Sequence, residues 1–304
     1  MNTPTSLPPR RGKPVLCFDI LKSAANHSVP IPRLFCALCA VVFCFIPVQA
    51  APGASGSSGA QPAPEPGSSA AGKSLEDKLP SGLLARWTGD GNAKDSTGEF
   101  DGKVSGGLSY VPGPAGRAFQ FNGGDAEVNF GNSIGNFGTR DFTVAYWMKT
   151  DSRNPHEAIL AKRTTCDGAL SFLEIEIGGA GGNPPTGILC LSFEVGDYKP
   201  VYSLISSHPM NDGRWHHIAW VRQSTSSGNS TGLIYVDGAL DNSRNYPETV
   251  DIANQSPLLL GQNVCQCCDG CRPYSGAAAD LQLFSHALSA EEILTIYQAG
   301  KSGK

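Results

Sequence analysis

An all-β fold, a two-sheet antiparallel β-sandwich with one short C-terminal helix, is predicted from three observations. Glycine and proline are abundant, 36 and 22 of 304 residues, while charge is sparse, which suits short strands joined by turns. Apolar residues recur in short alternating runs between residues 83 and 284, about a dozen of them at near-regular spacing, the pattern of a sandwich or barrel. One helix signature stands after them: Ser289-Ala290-Glu291-Glu292 reads as a capping box, Ile293, Ile296 and Tyr297 share a face, and Gly300 is placed to end it. No repeat of fixed period is visible, which disfavours a propeller or solenoid.

The chain opens on a leader. Residues 34–48 form an unbroken apolar run preceded by Arg10, Arg11, Lys13, Lys22 and Arg33, and Val48-Gln49-Ala50 supplies small residues before Ala51. About 15 residues fall short of the roughly 20 that a spanning helix needs. Residues 1–50 are therefore read as a cleaved secretory signal, with no membrane span expected in the mature chain. The next stretch, 51–80, is dominated at first by Pro, Ala, Gly and Ser with almost no large apolar side chain; it cannot bury enough surface to offset chain entropy and is read as a linker. The sandwich is assigned to 81–300. The protein is expected to be secreted, periplasmic or on the cell surface.

Within the sandwich, strands are expected at 83–87, 117–121, 126–130, 142–149, 158–162, 170–177, 187–195, 198–205, 215–222, 233–236, 258–260 and 279–284. Asn122-Gly123-Gly124-Asp125 reads as a hairpin turn between the second and third of these. In 142–149 the alternation sets Phe142, Val144, Tyr146 and Met148 on one face. The formal charge of −4, with no basic cluster in the folded part, argues against a nucleic-acid partner.

Ten cysteines are present, and four leave with the leader. The six that remain, Cys166, Cys190, Cys265, Cys267, Cys268 and Cys271, suggest disulfides in an exported domain, with a bridge from Cys166 to the 265–271 loop favoured. A zinc knuckle on Cys268-x-x-Cys271 competes, but its second ligand pair would be awkwardly spaced.

The motifs along the folded part resemble a known family. Leu84-x-x-Trp87 with Asp90-Gly91-Asn92 and Asp95-Ser96-Thr97-Gly98 is similar to the opening of laminin-G-like domains of the concanavalin A-like lectin/glucanase superfamily. Ala118 to Gly123, Asp141 to Lys149, Asp212-Gly213-Arg214-Trp215-His216-His217, Tyr235-Val236-Asp237-Gly238 and Asp280 to Ser289 continue the resemblance in family order. It implies a jelly-roll sandwich, a fold that hosts lectins, adhesion modules and glycosidases alike. It also implies a structural calcium ion, with Asp95 and Asp280 as carboxylate ligands and the Asn122 region giving a carbonyl. The competing reading has Asp95 in an Asx turn and Asp280 at a strand edge.

Three functions are weighed. The leading one is a non-catalytic recognition module for glycans or glycoproteins, supported by calcium. The second is a structural or protein-adhesion domain. The third is a glycoside hydrolase, because one hydrolase family on this fold sets three acids at alternate strand positions. Glu174 and Glu176 would fill the first two, but Gly178 stands in the third, leaving no general acid on that strand. Trp215-His216-His217 cannot chelate one ion, since neighbours on a strand diverge. Tyr198, Tyr202, Tyr246 and Tyr274 are candidate sugar contacts near loops, with half-buried packing as the competing role.

Overall fold

The computed structural model describes residues 79–163, 170–178, 185–196, 202–264 and 271–301. The leader, nearly all of the linker, Tyr198, Cys166, Cys265, Cys267 and Cys268 lie outside them.

Two eight-stranded sheets stack face to face. Numbered in chain order, sheet A runs β13 (Ala239–Tyr246), β12 (Ser230–Val236), β11 (His216–Ser224), β6 (Phe142–Lys149), β16 (Ser275–Phe284), β4 (Gly116–Asn122) and β3 (Ser109–Gly113), with β1 (Leu83–Trp87) also on β16. Sheet B runs β10 (Tyr202–Pro209), β9 (Ile188–Gly196), β8 (Leu170–Gly178), β7 (His156–Lys162), β14 (Leu259–Leu260), β5 (Glu127–Asn129) and β2 (Lys103–Ser105). The two-residue β15 (Arg272–Pro273) lies parallel to β7. The other pairings are antiparallel, as predicted.

Period-two alternation builds the core. Phe142, Val144, Tyr146 and Met148 of β6 face Leu173, Ile175 and Ile177 of β8 across one apolar layer, joined by Ile218 and Trp220 of β11. The intervening residues of β6 and β11, Ala145, Trp147 and Ala219, look outward from sheet A. There α1 (Ala290–Lys301) lays Ile293 and Ile296 over Ala145, Ala219, Val221 and Phe284. The capping box forms: Ser289 N–H donates to Glu292 Oε2 at 2.8 Å and Glu292 N–H to Ser289 Oγ at 3.3 Å.

Several expectations are corrected. The Asn122–Asp125 turn makes no hairpin: β4 lies in sheet A and β5 in sheet B, so it carries the chain between layers. Asn122 Oδ1 accepts the Gly124 and Ala126 amides, an Asx turn that also serves a corner. Gly300 lies within α1, not beyond it; a Cβ there would meet Trp147 Nε1 at 2.5 Å. The strands β2, β3, β13 and β15 went unpredicted. In β13, an edge strand of sequence ALDNSRNY, mostly exposed residues leave no alternation to read.

Candidate functional site

The residues assigned to calcium sit in three hydrogen-bond sets. Asp95 accepts from the Arg86, Thr97, Glu99 and Phe100 amides and from Thr97 Oγ1 at 2.5 Å. Burial pushes its carboxyl up, but the donors of Arg86, Thr97 and Phe100 outweigh this and hold it below the usual range. Asp280 occupies a bulge of β16 at φ +50°; it takes Arg86 Nε at 2.6 Å and Gln282 Nε2 at 2.8 Å. Asn122 turns its side chain to Asp125 and to its own loop. Calcium needs six to eight oxygens free to face it. Here N–H and O–H donors already occupy the carboxylates, and a guanidinium sits against Asp280. This donor set does not fit the ion.

The acid pair lies on the outer face of sheet B, because alternation on β8 sends Leu173, Ile175 and Ile177 inward and Glu174 and Glu176 outward. Both acids are nonetheless buried, Glu174 to 2 % and Glu176 to 8 % exposure. Arg163 Nη1 pairs with Glu174 at 2.5 Å, and Asn263 Nδ2 also donates to it. Burial first, then the neighbouring Glu176, push Glu174 up to about 7, with Arg163 and Asn263 opposing. The position of the missing third acid is closed by geometry as well as by residue type. Gly178 has φ +74°, and a Cβ there would meet Pro155 O at 2.1 Å.

His156, Glu176 and Cys271 converge on this face, each offering a ligand atom within 4.8 Å of the others. His156 Nε2 and Glu176 Oε1 are 2.6 Å apart, a hydrogen-bond distance. Two ligands on one tetrahedral zinc lie about 3.3 Å apart, so the pair is bonded to itself. Cys190, in register with Glu176, is buried on the same face.

The adjacent histidines diverge as expected. His216 lies between two carboxylates, Nδ1 3.0 Å from Asp237 and Nε2 3.1 Å from Asp212. Its hydrogen bond with Asp237 raises its pKa, burial opposes, and Asp212 adds to the rise. His217 is buried against Trp147 and Tyr297, and desolvation lowers its pKa to about 4.

The described candidate tyrosines are core residues. Tyr202 and Tyr246 pack with Phe193, and Tyr274 is fully buried against Phe121. Trp215 is half-buried where the chain enters β11. It borders an open groove of about 510 Å³ on the outer face of sheet A, with Lys149, Thr150, Asp151, Gln120 and Val111. Nothing in the sequence marks these residues as a group, because they come from separate strands; only sheet order brings them together.

Two stacked antiparallel sheets with this strand order define a lectin-like β-sandwich. The chain belongs to the concanavalin A-like lectin/glucanase superfamily: its laminin G model matches residues 122–294. No curated protein matches the sequence. Among solved structures, domain 4 of AbnA, a GH43 extracellular arabinanase from Geobacillus stearothermophilus, in complex with arabinotriose, is 19% identical with TM-score 0.56 over 71% of this chain and 98% of that one. The binding domain of Paraclostridial Mosquitocidal Protein 1 is 15% identical with TM-score 0.56, over 74% of this chain and 52% of that one. The binding domain of Botulinum Neurotoxin DC, in complex with SialylT, is 13% identical with TM-score 0.56, over 73% and 52%. This chain spans about half the length of the two toxin domains. At these identities the likeness is one of fold.

Proposed function

We propose that this protein is an exported, non-catalytic recognition module that binds carbohydrate or glycosylated surface components. The observation that carries the reading is the sealed acid pair of β8. In a fold shared by lectins and glucanases, Glu174 and Glu176 are buried, Glu174 is paired with Arg163, and the third place is closed at Gly178. A glycosidase needs a carboxyl that reaches the scissile oxygen and a second one across the sugar, and neither acid is open to a substrate. Binding is what remains for the fold. It is supported by the neighbours: the arabinanase domain was solved with arabinotriose and the neurotoxin binding domain with SialylT.

The test is an array of defined oligosaccharides and polysaccharides, probed with the secreted protein in calcium and again in chelator, beside a reducing-end assay on the same substrates. Retention of saccharide in both buffers with no new reducing ends is expected. Binding lost in chelator would restore an ion to the contact. Release of reducing ends would return the glycosidase reading. Silence on the array with capture of a protein partner would favour adhesion.

A further inference from the structure

We infer that the saccharide site is the groove crossing the outer face of sheet A, and that it takes a short oligosaccharide lying across the strands. The inference rests on the glycan-binding reading and gives it a place.

The groove arises from register. Lys149 of β6 pairs with Ala277 of β16, and Ala277 pairs with Gln120 of β4. Trp215 stands one residue before His216, which pairs with Met148, so it extends the same row onto β11. Val111 and Pro112 of β3 form the far wall. The row crosses five adjacent strands, about 19 Å at ordinary strand spacing, more than a single sugar ring occupies. A small residue, Ala277, lies mid-row between longer neighbours, which makes the surface a trough. Its volume, about 510 Å³, falls within the usual range for ligand clefts.

The chemistry of the walls suits a sugar. Pyranose rings have an apolar face and a rim of hydroxyls, so they need a flat apolar surface with donors and acceptors beside it. Trp215 supplies the surface and an indole N–H. Beside it, Lys149 offers an ammonium and Asp151 a carboxylate, both exposed and in no ion pair among the described residues. Gln120 also lines the groove, its amide nitrogen held by the carbonyls of Phe121 and Gly276, so that its oxygen is the part of the amide left to accept. Thr150, by contrast, is engaged with Ser275 and Ser152 and helps only to shape the wall.

The platform is also held in place. Gly213 N–H donates to Thr150 O at 2.9 Å. Asp212 takes both the Arg214 amide and His216 Nε2, and His216 reaches on to Asp237. Fixing the aromatic before binding lowers the ordering cost of association.

The experiment exploits tryptophan exposure. Trp87, Trp147 and Trp220 are buried, so quenching of intrinsic fluorescence by acrylamide reports chiefly on Trp215. The probes are arabinotriose, a sialylated trisaccharide and whichever array oligosaccharides the wild-type protein retains. Saccharide is expected to shield the quenchable tryptophan. W215A should weaken retention about tenfold or more, D151A or K149A severalfold, and W215F least among the Trp215 changes. Because D151A and K149A alter exposed side chains, unchanged melting temperatures make their losses attributable to the groove. Folded W215A and D151A variants that retain saccharide like wild type would overturn the site while leaving the glycan reading intact. A wild-type protein that retains no saccharide would overturn both.

Discussion

His216 and His217 are neighbours in sequence with opposite proton preferences. His216 sits between Asp212 and Asp237, and two ring nitrogens can both donate only from the imidazolium. Its raised folded pKa adds stability that is full below the ordinary histidine value and is lost as pH rises through the raised value. His217 is the reverse: buried and held neutral down to about 4, it costs stability as pH falls from about 6.5, where the unfolded chain takes up a proton and the native state does not. The full effect is roughly 3 kcal/mol. Stability over pH 5–8 should therefore peak near the ordinary histidine pKa. Melting curves of H217F should lose the acid limb, and those of H216N the alkaline limb; unchanged limbs would discard this account. Arg222 is a second residue of consequence. Only 1 % exposed, it donates to the carbonyls of Gly138, Arg140 and Val250. R222M should cost about 3 kcal/mol in urea unfolding, since three buried acceptors lose their donor.

At the scale of the element, α1 and the C-terminal end of β8 make separate predictions. Helix α1 is short and gains most of its stability from the apolar face it lays on sheet A. S289A removes the cap and should cost about 1 kcal/mol. Substitution of Gly300 should cost more, because Trp147 occupies the space a Cβ would need. Gly178 tests the catalytic reading directly. Installing the missing acid with G178D should destabilise the protein and release no reducing ends, since the left-handed backbone and Pro155 O leave no room for a side chain. The Asp237-Gly238 turn shows a local rule at work. Both residues have positive φ, 50° and 81°, the two-residue geometry that suits the twist of a hairpin. Asp237 then serves twice, turning the chain and holding His216.

For the whole molecule, the cysteines set a further prediction. If the six cysteines after the proposed leader form bridges, as they would in an oxidising compartment, each bridge contributes about 2–4 kcal/mol and reduction should lower the melting temperature clearly. An unchanged melt would mean free or metal-bound thiols. Much of the architecture was legible in the chain. The alternation of β6 placed Phe142, Val144, Tyr146 and Met148 in the core, the capping box placed the start of α1, and the spacing of strands indicated a sandwich. These are local signals, carried by periods of two and 3.6 residues and by turn chemistry. Edge strands such as β13 escaped because most of their side chains meet water. The Asn122–Asp125 turn misled because a hairpin and a corner between sheets use the same turn residues. The surroundings of the proposed calcium ligands were hidden for a related reason: Asp95 and Asp280 are acids near a loop, Arg86 and a ring of amides satisfy them, and sequence does not show who satisfies whom.

By itself, then, the sequence determined most of the core strands and their apolar faces, where the helix begins and which residue could not serve as an acid. Tertiary structure alone decided which outward faces are sealed and which stay open. Glu174 and Glu176 point outward from their sheet yet are buried, while Trp215, Lys149, Asp151 and Gln120 converge from separate stretches of chain on an open trough. The physical reason is that alternation depends on neighbours along one strand, whereas burial on an outer face depends on segments far apart in sequence packing against it.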